Sequence, residues 1–295
     1  MLKENTLFGT RDKVAEAIQR LKSFEPEDGY YVAFSGGKDS QCIYHLCEMA
    51  GVKFDAHYSV TSVDPPELVR FIKEHYPNVS RDIPHDKDGK PITMWNLIPK
   101  KGIPPTRLAR YCCAELKESS GKGRVTVTGV RWAESARRKH LHGVANVKTK
   151  DEEEIRDALE RSGTAKLNDR GSIIMNDDND ENRRTVENCY RTRKVLVNPI
   201  VDWEDSDVWE FLNEVAKVPH CKLYDRGYKR LGCICCPMSN HAAEDLAKYP
   251  KYKAAYLRAY SRMIEQRKLR GLETKIESWD TPEGVLNWWV GGDAE

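Results

Sequence analysis

Apolar positions follow two different spacings along the first part of the chain. Val14, Ile18 and Leu21 recur at helical intervals and predict an amphipathic helix. The apolar run Tyr30–Phe34 has the length and β-character of a buried strand, and 38–49 can continue as a helix. This part of the chain is therefore predicted to contain a strand that leads through a short turn into a helix.

Strands and helices continue to alternate downstream. We expect strands at 54–60, 124–130 and 195–197, a helix opening near Pro65, and another helix at 206–216. Strands separated by helices are typical of an α/β fold, here a Rossmann-like, mostly parallel sheet with helices on both faces. Tyrosines at three- and four-residue spacing between 249 and 260 favour a mainly helical C-terminal segment.

A charged stretch interrupts this alternation. Residues 148–194 include Asp-Glu-Glu-Glu at 151–154 and have no regular apolar spacing. We interpret them as a polar insertion, with a surface excursion as the simpler account and a lid as the alternative. The predicted organisation is an α/β domain at 1–225 that carries the insertion, followed by a cysteine turn and a helical segment at 226–295.

The turn after the first predicted strand has the composition of an anion-binding loop. It reads Ser35-Gly-Gly-Lys-Asp-Ser40 and is called the phosphate loop below. Gly36 and Gly37 let backbone N–H groups approach an anion closely, and the amides of a helix N-terminus favour negative charge. Lys38 adds a positive charge. The Walker spacing is not present, and the alternative is an ordinary strand-to-helix turn with surface serines.

Composition limits the function classes. The chain has 295 residues and a formal net charge of +2, so its overall charge does not favour a nucleic-acid or membrane partner. Its first residues are polar and no apolar run is long enough to cross a bilayer, so we expect a cytoplasmic protein. In a reducing compartment, nine cysteines are expected to be core thiols, metal ligands or catalytic groups rather than disulfides.

Four of the cysteines have a spacing that suits a metal centre. Cys112 and Cys113 are adjacent, and Cys233 and Cys236 form a Cys-x-x-Cys pair; these are called the four-cysteine group below. Four thiolates can bind a Zn²⁺ ion or a 4Fe-4S cluster, and the residues alone leave both open. The remaining cysteines are treated separately: Cys42 and Cys47 as buried small residues, Cys189 as isolated, and Cys221 and Cys235 as candidates for reactive sulfur with a bystander role as the alternative.

Several of these motifs resemble those of known enzymes. The phosphate loop resembles the pyrophosphate-binding PP-loop of the adenine nucleotide alpha-hydrolase superfamily. The segments 129–135 (Gly-Val-Arg-Trp-Ala-Glu-Ser), 198–203 (Asn-Pro-Ile-Val-Asp-Trp) and 223–227 (Leu-Tyr-Asp-Arg-Gly) resemble the phosphoadenosine phosphosulfate (PAPS) reductase family. The four-cysteine group is similar to that of its iron–sulfur branch, which includes adenylyl sulfate reductases and DNA phosphorothioation sulfurtransferases.

The resemblance implies an enzyme that binds ATP with Mg²⁺ and carries a 4Fe-4S cluster, with Zn²⁺ as the alternative. Its expected activity is that of an ATP pyrophosphatase and sulfurtransferase, which adenylates an acceptor so that sulfur can replace oxygen. Besides the adenine nucleotide, a nucleic acid or a sulfur-donor protein is a candidate partner. The residues expected to bind the nucleotide are Ser35, Gly36, Gly37, Lys38, Asp39, Ser40, Gly129 and Arg131, of which Lys38, Asp39 and Arg131 are expected to act in catalysis. The oligomeric state is not predicted.

One departure from the resemblance leaves two rival functions. Sulfonucleotide reductases use a cysteine in a C-terminal Glu-Cys-Gly-Leu-His type motif, whereas residues 237–295 contain no cysteine. The first rival is a reductase that releases sulfite from adenylyl or phosphoadenylyl sulfate and takes its nucleophile from Cys221, Cys235 or a partner. The second is a non-catalytic nucleotide-sensing module with a structural metal.

Overall fold

Two compact units make up the chain. The computed structural model describes residues 1–6, 9–118, 120–121, 123–135, 145–148, 165–167, 173–175, 186–188, 194–239, 241–272 and 276–291. Unit 1 consists of Met1–Tyr58, Phe71–Arg81 and Gly121–Lys229, and unit 2 of Ser59–Arg70, Asp82–Ser120 and Arg230–Glu295. Unit 2 thus combines the C-terminal region with two earlier segments, and the boundary at residue 225 stays a prediction.

Eleven strands lie in the described residues. They are β1 (Lys3–Thr6), β2 (Gly9–Asp12), β3 (Tyr30–Ala33), β4 (Phe54–Ser59), β5 (Ser80–Asp82), β6 (Val125–Val127), β7 (Ala145–Lys148), β8 (Ala165–Leu167), β9 (Ile173–Met175), β10 (Val186–Asn188) and β11 (Lys194–Val197). Seven of them form one sheet in the order β10-β7-β11-β6-β3-β4-β5, while β1-β2 and β8-β9 form two-stranded sheets. Within the large sheet, β3 is parallel to β4 and β6, and β6 is parallel to β11. The predicted α/β fold with a mostly parallel sheet is confirmed.

Helices connect these strands and dominate the C-terminal region. They are α1 (Lys13–Ser23), α2 (Lys38–Ala50), α3 (Pro66–His75), α4 (Met94–Lys101), α5 (Tyr111–Leu116), α6 (Asp205–Glu210), α7 (Ala242–Lys248), α8 (Pro250–Leu269) and α9 (Pro282–Val290). Short 3₁₀ turns lie at Trp132–Glu134 and Glu277–Asp280. The helical C-terminal segment is therefore also confirmed.

The strand and helix around the phosphate loop follow the sequence pattern closely. Tyr30 and Val32 of β3 are fully buried, as expected of a central parallel strand. Gly36 has φ 72°, a conformation that glycine adopts without steric cost, and Gly37 is the N-cap of α2. The turn thus places the phosphate loop between a carboxyl end of the sheet and a helix N-terminus, the edge at which such sheets bind ligands.

The helix predicted at 206–216 is divided into two parts. It begins as α6 and continues as a π-helical turn at Phe211–Val215, in which the Ala216 amide bonds back to the Phe211 carbonyl. Phe211 and Leu212 within this wider turn are fully buried. Apolar spacing alone predicts such a turn as ordinary helix, because the two backbone patterns differ by one residue in hydrogen-bond register.

Unit 2 has its own core around the long helix α8. Tyr256 and Tyr260 of this helix are buried, and the Tyr256 hydroxyl donates to the Ile234 carbonyl at 3.0 Å. Trp279 and Trp289 are also buried there, and Trp289 bonds through its indole N–H to the Pro105 carbonyl. Tyr256 and Tyr260 thus lie on the face of α8 that packs into the unit 2 core.

The predicted polar insertion falls mostly outside the described residues. The described parts of the insertion contain β8, β9 and β10. The strand β7 ends at Lys148, the first residue of the insertion. β10 pairs in parallel with β7, and β7 pairs antiparallel with β11. The insertion therefore contributes strands, which its polar composition did not predict. No described helix combines the length and apolar character needed to span a membrane.

Candidate functional site

The hydroxyls of Ser35 and Ser40 form hydrogen bonds within the phosphate loop. The Ser40 hydroxyl donates to the Gly37 carbonyl at 2.8 Å, and the Ser35 hydroxyl lies 3.2 Å from that of Ser40. Gly37, the N-cap of α2, has no side chain that could accept a hydrogen bond from the first amides of the helix. The loop is thus held in shape while the N-cap itself leaves the helix amides to other partners.

Two cations with buried side chains converge on this loop. Lys38 is 3% exposed and Arg131 is 2% exposed. The Arg131 guanidinium donates to Asp39 through Nε at 2.6 Å and to the Trp203 carbonyl through Nη1 at 3.1 Å. Burial lowers the pKa of Arg131, but the charge of Asp39 and the bond to Asp205 outweigh it, so the pKa is raised. The structure therefore brings together the three predicted catalytic residues Lys38, Asp39 and Arg131.

Asp205 is a site residue that the sequence did not reveal. Its Oδ1 lies 2.6 Å from Arg131 Nη2 and 3.0 Å from Lys38 Nζ. Partial burial raises the pKa of Asp205, but hydrogen bonds from Lys38 and Arg131 outweigh it, so the net shift is downward. Asp205 begins a helix and had no signal of its own, since a charged residue in a first helical turn is common.

Tyr224 occupies the first amide of α2. Its hydroxyl oxygen accepts a hydrogen bond from the Lys38 backbone N–H at 2.8 Å, and its ring packs edge-on against Trp209 with centroids 5.0 Å apart. Burial raises the pKa of Tyr224, so the hydroxyl stays protonated at neutral pH. Tyr224 belongs to one of the resemblance motifs, but its contact with the loop required the tertiary structure.

A cavity of about 550 Å³ opens beside Lys38 within unit 1. Asp205, Trp209, Tyr224 and Lys229 contribute to its lining. It therefore combines cations, carboxylates and aromatic surfaces next to a helix N-terminus, and it is large enough for a small-molecule ligand.

Gly129 supports the loop from behind. A Cβ atom built on Gly129 would lie 3.0 Å from both the backbone and the Cβ of Asp39. Gly129, which was predicted to bind the nucleotide, thus allows the turn after β6 to pack directly against α2. Next to it, Glu134 accepts from the Arg131 amide at 3.4 Å and so fixes the turn that carries Arg131.

The four-cysteine group lies entirely in unit 2. Cys112 and Cys113 are on α5, and the turn that holds Cys233 is tied down where the Ile234 amide bonds to the Val63 carbonyl at 2.7 Å. Within that turn Cys235 has a φ of 60°. A residue with left-handed backbone thus lies between the two cysteines of the pair.

The four thiols influence one another electrostatically. A hydrogen bond between Cys112 and Cys113 raises the pKa of Cys112 and lowers that of Cys113. The charges of Cys233 and Cys236 raise the pKa of Cys112 further. Arg110 Nη2 lies 3.6 Å from Cys113 Sγ and helps to lower its pKa. The structure therefore brings all four predicted ligands into one neighbourhood.

Three further side chains lie near Cys233: Lys117, Asp64 and Thr61. The charges of Cys233 and Asp64 raise the pKa of Lys117, which remains exposed to solvent. Asp64 accepts from the Thr61 hydroxyl at 2.7 Å, and that hydroxyl lies 3.7 Å from Cys233 Sγ. Lys117 and the Thr61 hydroxyl can offset negative charge on Cys233, whereas burial and the Asp64 carboxylate, 3.8 Å from its Sγ, raise the net pKa of Cys233 to about 11.

The four thiols are not prearranged around a single metal ion in the part of the chain that the structure describes. Within the described ranges, no three His, Cys, Asp or Glu side chains are already arranged to hold one. The four thiols share a neighbourhood without forming a closed coordination shell, so the metal centre and its 4Fe-4S or Zn²⁺ identity stay predictions.

Cysteines outside the group are placed as core residues. Cys42, Cys47, Cys221 and Cys235 are each at most 1% exposed. Burial raises the pKa of Cys235, which also donates through Sγ to the Ala242 carbonyl at 3.5 Å. A buried protonated thiol is a poor nucleophile, so the bystander role fits Cys235 better than reactive sulfur. Cys189 lies outside the described residues.

Comparisons with known proteins found several that are similar to this chain. An uncharacterized protein of Methanocaldococcus jannaschii is 25% identical over 250 residues, which cover 82% of this chain and 48% of that protein. The chain thus spans about half the length of this curated relative. A crystal structure of phosphoadenylyl-sulfate reductase from Candida auris, in a phosphate complex, aligns with a TM-score of 0.43 and 14% identity over 74% of this chain and 88% of that one.

Two further comparisons gave a shorter match and a family model. Adenosine 5'-phosphosulfate reductase of Allochromatium vinosum is 34% identical over 50 residues, which are 17% of this chain and 19% of that enzyme. The model of the phosphoadenosine phosphosulfate reductase domain matches residues 29–239, which contain the phosphate loop, Arg131 and the whole four-cysteine group. The chain therefore belongs to the phosphoadenosine phosphosulfate reductase family.

Proposed function

We propose that this chain is an ATP pyrophosphatase and sulfurtransferase that binds ATP at the phosphate loop and adenylates an acceptor. The observation that carries the proposal is the convergence of Lys38 and Arg131, both with buried side chains, on the N-terminus of α2. Two buried cations and helix amides at one loop favour a polyanion with several oxygens.

The chemistry assigns separate roles to these groups. An acceptor oxygen attacks the α-phosphorus, the bond from that phosphorus to the bridging oxygen breaks, and pyrophosphate leaves with the electron pair. The phosphate loop and Lys38 stabilise the charge that develops on this leaving group. A phosphate oxygen that displaces Asp205 gains both Lys38 and Arg131 as donors. A sulfur nucleophile then replaces the adenylylated oxygen and releases AMP.

Two carboxylates next to the cations fit a role in binding Mg²⁺. Asp39 and Asp205 both lie within 3.3 Å of Lys38 Nζ, and Mg²⁺ is commonly bound by one or two carboxylates together with substrate phosphates. The ion supplies neutralisation of the phosphate charge when bound. Asp39 and Asp205 are therefore the residues proposed to hold it.

The four-cysteine group is proposed to bind a 4Fe-4S cluster. Four thiols with Arg110 and Lys117 beside them offer the donor set and the compensating charge that such a cluster needs. The cluster would supply redox or sulfur chemistry, and Zn²⁺ on the same thiols is the alternative. Iron, sulfide and zinc content after purification without oxygen distinguishes the two.

A sulfonucleotide reductase is the second candidate function. It is favoured by the relatives named adenosine 5'-phosphosulfate reductase, which match the chain over short stretches. Against it, Cys221 and Cys235 are buried, and residues 237–295 contain no cysteine. The two cysteines named as its candidate nucleophiles are therefore poorly placed to attack a substrate.

One set of assays tests both candidates. Protein purified without oxygen is given ATP with Mg²⁺ or adenylyl sulfate with a thiol, and pyrophosphate and sulfite are measured. With water in place of the acceptor, we expect AMP and pyrophosphate from ATP, whereas sulfite from adenylyl sulfate would establish the reductase. Binding of α,β-methylene-ATP, which cannot be cleaved at the relevant bond, is measured in parallel by calorimetry.

The binding arm includes a matched pair of variants. Lys38→Ala removes a charged donor from the loop and is expected to weaken binding of the analogue about tenfold or more. Lys229→Ala removes an exposed cation that lines the same cavity and is expected to change affinity less than about threefold. Equal effects of the two variants would argue against a specific phosphate site at the loop.

A further inference from the structure

Asp205 holds both buried cations of the phosphate loop with a single oxygen. Its Oδ1 is the partner of Lys38 Nζ at 3.0 Å and of Arg131 Nη2 at 2.6 Å. Asp39 is the other carboxylate at these cations, bonded to Arg131 Nε. The position between Lys38 and Arg131 is thus taken by a carboxylate of the protein itself.

The two carboxylates differ in how firmly they are placed. The Asp39 side chain is 23% exposed, whereas that of Asp205 is 71% exposed. Asp39 is also packed against Gly129 through its backbone and Cβ. Asp205 reaches the cations from solvent at the first position of α6, so it can turn away with little loss of packing. It is therefore the carboxylate that an incoming phosphate displaces.

Displacement leaves a negative charge at the edge of the site. An uncomplexed triphosphate brings further negative charges next to the displaced Asp205, and like charges at contact distance repel. A triphosphate that carries a divalent cation instead presents positive charge to the same carboxylate, and oxygen ligands of this kind suit Mg²⁺. The same residue thus opposes one form of the ligand and accommodates the other.

We propose that Asp205 makes nucleotide binding at the phosphate loop depend on a divalent cation. Asp205 is a specificity-determining residue in this role, because it discriminates between two charge states of one ligand. The inference rests on the proposed function, since it requires that the loop bind the phosphates of a nucleotide.

The test compares affinities with and without the metal. α,β-Methylene-ATP is titrated by calorimetry into the wild type and Asp205→Asn, once with excess MgCl₂ and once with EDTA at equal ionic strength. Asparagine keeps an amide oxygen as acceptor for Lys38 and Arg131 but removes the charge. We expect Asp205→Asn to bind the analogue about fivefold tighter than wild type in EDTA. The ratio of the affinity in MgCl₂ to the affinity in EDTA should fall by at least that factor.

Asp225→Asn is the matched control. Asp225 lines the same cavity and its side chain is 63% exposed, but its carboxylate is bonded to His220. This variant is expected to keep the wild-type ratio of affinities. Asp205→Glu, which restores a carboxylate, is expected to return the metal dependence towards that of the wild type. Thermal melting of all variants shows whether any change of affinity follows from a loss of folding.

Three outcomes are decisive. An unchanged ratio in Asp205→Asn, with folding intact, would overturn the role of Asp205 while leaving the nucleotide site in place. An equal change in Asp225→Asn would show a general effect of cavity charge and would also overturn it. Failure of the wild type to bind the analogue in either condition would instead contradict the proposed function, and the inference with it.

Discussion

The phosphate loop and the four-cysteine group solve opposite charge problems. At the loop, the cations of Lys38 and Arg131 are buried and are balanced by carboxylates of the protein. At the four-cysteine group, thiols that can become anions lie beside Arg110 and Lys117. One region therefore presents buried cations balanced by carboxylates, and the other presents thiols beside cations.

The two regions also differ in how the chain assembles them. The loop is a continuous segment in which the Ser40 hydroxyl donates to the Gly37 carbonyl and the Ser35 hydroxyl bonds to that of Ser40. The four-cysteine group joins α5 to a turn more than a hundred positions later. A contiguous site keeps its shape through local hydrogen bonds, whereas a discontinuous one depends on the unit 2 core and on whatever the sulfurs bind.

The largest effect is expected from the loss of one thiol of the four-cysteine group. Cys236→Ser removes one of the four thiols, so we expect loss of nearly all bound metal from protein purified without oxygen. A structural centre also adds folding free energy, so the melting temperature should fall as well. Metal analysis and the visible absorption spectrum measure the first effect, and thermal melting measures the second.

Cys47→Ala is the control for this variant. Cys47 is fully buried on α2 in unit 1, where burial raises its pKa and keeps it a neutral thiol. It should keep the wild-type metal content, with at most a modest change in melting temperature from the lost packing. Full metal content in Cys236→Ser, or equal loss in Cys47→Ala, would contradict the assignment of the four-cysteine group.

The second effect sharpens the contrast among carboxylates of unit 1. Asp202, three positions before Asp205, has a side chain only 11% exposed and forms a two-point bond with Arg20 at 2.7 and 3.0 Å. Burial raises the pKa of Asp202, but Arg20 and Arg11 outweigh it and the net shift is downward. We expect Asp202→Asn to cost about 2 kcal/mol of unfolding free energy at pH 7, measured by urea unfolding.

The pH dependence of this cost has a definite sign. A carboxylate whose pKa is lower in the folded state stabilises it fully above its unfolded-state pKa of about 4, and this contribution disappears as the pH falls through the folded-state value. The difference between wild type and Asp202→Asn should therefore shrink as the pH is lowered below about 4. Glu27→Gln, at an exposed position, should show no such cost, and a difference that stays constant with pH would refute the explanation.

The contiguous features were predictable from the sequence. The strand before the phosphate loop and the helix after it follow from an apolar run, two glycines and helical spacing. The buried tyrosine face of α8 follows from the spacing of Tyr256 and Tyr260. In each case the physical cause acts within a few residues, so the pattern carries the information.

Features that depend on distant residues were not predictable in the same way. Asp205 and Tyr224 reach the loop only because α6 and the segment after it fold onto the N-terminus of α2. Neither residue type is unusual where it lies in the chain. The π-helical turn at Phe211–Val215 and the strand β10 within a polar stretch were missed because tertiary packing and pairing determine them.

The smallest expected effect concerns the self-occupied amide of the loop. Tyr224→Phe removes the hydroxyl that accepts from the Lys38 N–H while keeping the ring against Trp209. A phosphate then no longer has to displace that hydroxyl, so pyrophosphate should bind about threefold tighter by calorimetry, since a net hydrogen bond contributes about 1 kcal/mol and water replaces part of it. Tyr228→Phe, in the lining of the same cavity, should leave the affinity unchanged. Weaker binding in Tyr224→Phe would contradict this expectation. It would show that the Tyr224 hydroxyl donates a hydrogen bond to the phosphate and does not compete with it for the Lys38 amide.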